Sequence, residues 1–103
     1  MPNLKYCNMS RLTNQQQRDI LERLIGGYLR VTEQMAVKPE NVNVKMLAWQ
    51  WGYKALSPAK VDLLRRVLFG LSKHRSEIRR RGGIPEKEDT LNYVYIRMKV
   101  TSK

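Results

Sequence analysis

From Thr13 to about His74 apolar residues return every three or four positions, and near the end of the chain every second position. That change of period divides the sequence. Residues 1–12 show neither period and read as an N-terminal arm, in which Leu4, Tyr6 and Met9 could pair as a short edge strand or pack on a neighbour. Residues 13–103 read as one domain. Thr13 and Gln16 have capping-box spacing, so the hydroxyl can accept from the backbone N–H three residues on while Gln16 reaches back. Ile20, Leu21, Leu24, Ile25, Tyr28 and Leu29 then form one stripe, which predicts a first helix with that stripe in the core. Gly26 and Gly27 lie inside it and mark a kink or a close crossing by another helix.

Pro39 disfavours helix at Lys38, so 35–42 is expected to be a loop. Asn43 is a suitable N-cap for a short second helix with Val44, Leu47, Ala48 and Trp51 on one face, and Gly52 is placed to end it left-handed. Trp49 cannot share a face with Trp51, and it is expected to meet a loop or a second subunit. About three residues later comes a strong start signal: Leu56 at N′, Ser57 as N-cap, Pro58 at N1 and Val61 at N4. A third helix is expected over 58–74. Its core side would be Val61, Leu64, Val67, Leu68 and Leu71, and its outer side Ala59, Asp62, Leu63, Arg66, Phe69, Gly70 and Lys73. Beyond it, Ile78 sits in a short basic strand candidate, 82–89 is turn-rich, and 91–100 alternates. The pattern predicts a two-stranded hairpin with a polar tip.

Charge sharpens this picture. The chain carries net +11 at a pI near 10.2, which favours a polyanionic partner. Between Lys45 and Arg81 ten basic residues face two acids, so that stretch holds +8 of the total. No apolar run approaches the roughly 20 residues of a spanning helix, and no tripartite leader opens the chain, which points to a cytoplasmic protein without a membrane partner. Cys7 is alone and His74 is the one histidine, so neither a disulfide framework nor a zinc site is expected. No P-loop, dinucleotide turn or nucleophile–base pair is present, and no cofactor, small-molecule effector or enzymatic activity is expected. Glu86, Glu88 and Asp89 read as a solvated turn at the hairpin tip.

Three helices, the last two joined by a tight turn, followed by Ile78-Arg79-Arg80-Arg81-Gly82-Gly83 and the returning Tyr93-Val94-Tyr95-Ile96, resemble the winged helix-turn-helix superfamily over 13–100. The resemblance implies an α+β, mainly helical fold with a C-terminal β-hairpin wing. It implies a sequence-specific double-stranded DNA-binding protein, a transcriptional regulator repressing by promoter or operator occlusion, acting as a homodimer and associated with the nucleoid when bound. Under it the third helix enters the major groove, where Arg66 is the candidate for bidentate contact with guanine and Asp62 either accepts from cytosine or orients Arg66. Lys54, Ser57 and Lys60 near the helix start would meet the backbone, and Ala59 and Arg65 are further DNA-binding candidates. Phe69 and Lys73 complete the helix face, and Arg79, Arg80 and Arg81 would clamp the minor groove from the wing.

Phe69, Tyr93 and Tyr95 are further candidates for a partner surface. Charge alone also fits a module for RNA or ribonucleoprotein. An adaptor or inhibitor that meets an acidic protein, and an accessory protein of replication or recombination, are further readings.

Overall fold

The computed structural model describes residues 12–53 and 56–100. Four α-helices account for most of these residues: α1 (Asn14–Leu29), α2 (Val44–Gln50), α3 (Pro58–Arg80) and α4 (Lys87–Arg97). A π-helical turn, Arg30–Gln34, continues α1, and a 3₁₀ turn, Pro39–Asn41, interrupts the loop before α2.

The helix starts follow from local chemistry. Gln16 N–H donates to the Thr13 hydroxyl at 3.1 Å and the Gln16 side chain accepts from Thr13 N–H at 3.0 Å, completing the capping box. Met46 N–H donates to Asn43 Oδ1 at 3.0 Å, and Lys60 N–H donates to Ser57 Oγ at 3.2 Å. Three helix ends share one device. After α2 the backbone turns left-handed at Gly52 (φ 110°), after α3 at Gly82 (φ 86°) and after α4 at Lys99 (φ 61°). In each case the next N–H reaches back across six residues, Tyr53 to Ala48, Gly83 to Ile78 and Val100 to Tyr95, each at 2.9 Å.

The core lies where α1, α3 and α4 meet. Leu21, Leu24, Leu64, Leu68, Leu71 and Val94 have no exposed surface, and α2 adds Val44, Leu47 and Ala48. The α1 stripe is buried except at its last member, Leu29, which is half-buried. Leu12, at the inner end of the arm, is also buried in this core, whereas the arm's strand candidates Leu4, Tyr6 and Met9 fall outside the described residues. Trp51 crosses α1 closely enough that a Cβ on Gly27 would stand 2.7 Å from its indole nitrogen, while a Cβ on Gly26 would meet open space. The glycine pair therefore marks a close crossing, and only one of the two glycines makes it.

The expected hairpin wing is overturned: no strand occurs among the described residues, and the fold is all-helical. Two causes account for this. Nothing stops α3 at His74, because no glycine or proline follows until Gly82, so Ile78, Arg79 and Arg80 extend the helix instead of forming a strand. Without that strand the alternating segment has no partner to pair with, and two strands alone are marginal in any case. The segment instead buries Thr90, Val94, Tyr95 and Met98, spaced four, one and three, as one face of α4. The supposed polar tip becomes a helix start: Glu86 is the N-cap residue, and Glu88 and Asp89 stand in the first turn, where the helix dipole favours acids. Arg97 holds the last turn.

A candidate nucleic-acid interface

At 23 residues, α3 is about 34 Å long. Its burial follows the predicted wheel on the core side: Val61, Leu64, Val67, Leu68 and Leu71 are all buried. Two members of the predicted outer side are covered. Leu63 packs against the core, and Gly70 faces the hydroxyl of Tyr93, where a Cβ would stand 2.5 Å away. Glycine at 70 thus lets α4 lie close along that flank. What remains open is a stripe of Asp62, Arg66, Phe69, Lys73, Glu77 and Arg80, with Arg66, Lys73 and Arg80 seven residues apart. Seven residues are nearly two turns, so the three cations follow one line at intervals of about 10 Å. The expected division between a groove helix and a separate arginine clamp on a wing is therefore corrected, because Arg80 stands on the same face of the same helix as Arg66.

The basic residues of α3 are arranged around acids in a repeated way. Asp62 accepts Arg65 and Arg66, each at 3.5 Å, and all three side chains are more than half exposed. Glu77 takes Arg80 and Arg81, the latter at 3.0 Å. Glu33, delivered by the π-helical turn, accepts Arg75 Nε at 2.8 Å, Arg75 Nη2 at 2.9 Å and Arg79 Nη2 at 2.7 Å. Hydrogen bonds from Arg75, reinforced by Arg79, hold the Glu33 carboxyl down at about 2 despite partial burial. Each set keeps one surplus positive charge. The first two face solvent, and the third ties α3 to the end of α1.

Arg79 is accordingly committed to Glu33 and points away from the Arg80 line. Arg75 is buried, with its Nη1 donating to Thr90 Oγ1 at 2.6 Å, and offers no donor to an external partner. Lys60 and Ala59 are exposed beside the Ser57 cap, while Lys54 lies outside the described residues. Phe69 retains 36% of its surface, and Lys73 Nζ stands 5.5 Å from its ring centroid. Beside Phe69, a groove of about 540 Å³ opens between α3 and the 3₁₀ turn at Pro39, with Ser72, Ser76 and Arg80 on its walls.

The tyrosines proposed for a partner surface are occupied within the fold. Tyr95 is buried and its hydroxyl donates to Arg18 O at 3.2 Å. Tyr93 stacks on His74 with centroids 4.8 Å apart, and Arg97 lies 3.5 Å over its ring. His74 Nε2 is also within 2.8 Å of Asp89 Oδ2. Together with Arg75–Thr90, these contacts fasten α4 to α3. Sequence reading missed the groove, because Pro39 lies thirty residues from Phe69 and no local period relates them.

No known protein family model, curated protein or solved structure matches this chain. No helix among the described residues is long and apolar enough to cross a membrane.

Proposed function

We propose that the chain binds double-stranded DNA through the open face of α3 and regulates transcription by occluding its site. The observation that carries this reading is the line of Arg66, Lys73 and Arg80 along one exposed side of a helix whose other sides are packed. A helix of about 10–12 Å diameter fits the major groove of B-DNA, about 12 Å wide. The deep, narrow major groove of A-form RNA does not admit one, which favours DNA over RNA. Arg66, 71% exposed and held only by a solvated pair with Asp62, is free to offer both guanidinium donors to a guanine edge. Lys73, Arg80 and Arg81 neutralise phosphates, and Lys60 does so at the helix start. A single helix reads few base pairs, so a homodimer on a two-fold site is the matching assembly. On this reading the protein works in the cytoplasm, on the nucleoid when bound.

Selection of bound duplexes from a random DNA pool tests this. A recovered site whose preference survives excess nonspecific DNA is the expected result. Arg66→Ala should then relax the preference at one base position, whereas Arg80→Ala should weaken all sequences evenly and lower the salt slope by at most about one. Absence of duplex binding at moderate salt, or tighter binding of RNA, would overturn the proposal.

A further inference from the structure

The groove beside Phe69 has a composition that a paired duplex does not use. One wall is the exposed Phe69 ring and the other the Pro39 turn; Ser76 supplies a hydroxyl, and Lys73 and Arg80 stand along the helix edge. Its volume of about 540 Å³ lies within the range of clefts that hold small planar ligands, about 300–1,000 Å³. Glu77 also lines it, but that carboxylate is already engaged by Arg80 and Arg81, so the rim keeps a net positive charge. An aromatic face flanked by cations is the arrangement that accepts an unstacked base together with its phosphates.

We infer that this groove takes one unpaired nucleobase of bound DNA, stacked on Phe69 and opposite Pro39, with the adjoining phosphates on Lys73 and Arg80. This rests on the DNA-binding reading, and it names the DNA class preferred: duplex carrying a bulged or extruded base within the contact region. Phe69 lies on the same stripe as Arg66, about one turn further along α3, so the groove adjoins the proposed base contact. Ser76 is a hydroxyl within the groove and adds a donor or acceptor for the edge of the base.

The test compares a fully paired duplex with the same duplex carrying a single bulged aminopurine, titrated with the full chain while anisotropy and aminopurine fluorescence are followed. The bulged duplex should bind about tenfold tighter, with quenched fluorescence as the base stacks. Phe69→Ala should abolish both the preference and the quenching, bringing the bulged duplex down to the affinity of the paired one, and Phe69→Tyr should retain both. Lys73→Ala should weaken the bulged complex more than the paired one. Equal affinity for the two duplexes, or quenching that persists in Phe69→Ala, overturns the groove assignment and leaves the DNA-binding reading standing. Failure to bind either duplex removes both.

Discussion

Replacing Glu33 by Gln should destabilise the protein by about 2 kcal/mol at neutral pH, and the deficit should vanish in acid. The substitution keeps the shape and removes the charge that Arg75 and Arg79 share. Glu33 titrates at about 2 instead of its ordinary 4.5, a difference worth roughly 3 kcal/mol if undiluted. Glu33 stands at the surface, so solvent screening reduces that contribution to about 1.5 kcal/mol. A further fraction comes from Arg75, whose side chain is only 11% exposed and would keep Thr90 as its one strong acceptor.

Because the folded value lies below the unfolded one, the stabilisation is complete above about pH 4.5 and is lost as pH falls through about 2. Urea denaturation of both proteins, repeated across that interval, measures the gap directly. A midpoint difference equivalent to about 2 kcal/mol, or roughly 10 °C in Tm for a chain of this size, is expected near neutrality. At the acid end protonated Glu33 resembles Gln and the curves should merge. A gap under about 0.5 kcal/mol at neutral pH, or one that ignores pH, would refute the claim that this network fastens α1 to α3.

The two adjacent glycines of α1 should respond with opposite signs. Gly26→Ala meets open space and should stabilise by about 0.5–1 kcal/mol, whereas Gly27→Ala drives a methyl onto the Trp51 indole and should cost about 1–2 kcal/mol; equal shifts in urea midpoint would deny the close crossing. Ser57→Ala should cost about 1 kcal/mol through loss of the α3 cap, and Ser57→Asp should restore it, read as thermal midpoints. Leu64→Ala, at a site with no exposed surface, should cost about 2–5 kcal/mol; a value below that would place Leu64 outside the core.

Helix starts and core faces were legible because their causes are local. Thr13, Asn43 and Ser57 cap where their spacing says they should, and the Val61 to Leu71 wheel is buried as its period demands. The last quarter of the chain was misread for a physical reason. Tyr93, Val94, Tyr95 and Ile96 combine high strand preference with a continuous apolar run, and such a run carries a period of two and a period of 3.6 at once. The deciding signals lay at its ends: Pro85 and Glu86 before it, Glu88 and Asp89 in the first turn, Arg97 in the last. Arg79 and Arg80 look like the partner strand only if 91–100 is itself a strand; with 87–97 helical they extend α3. The outward character of Arg66, Phe69 and Lys73 was legible from the wheel, but the burial of Arg75 was not, because Glu33 and Thr90 are distant in sequence.

The carboxylates clasped between two guanidiniums also bear on how affinity would vary with salt. A phosphate at Arg80, or a guanine edge at Arg66, displaces a carboxylate that the chain carries with it, and that acid, left with one arginine instead of two, then attracts cations of its own. Cation uptake by the protein opposes cation loss from the polyanion. The logarithmic dependence of binding on salt should therefore undercount the phosphates contacted along α3. Asp62→Asn and Glu77→Gln, which leave every arginine in place, should steepen it.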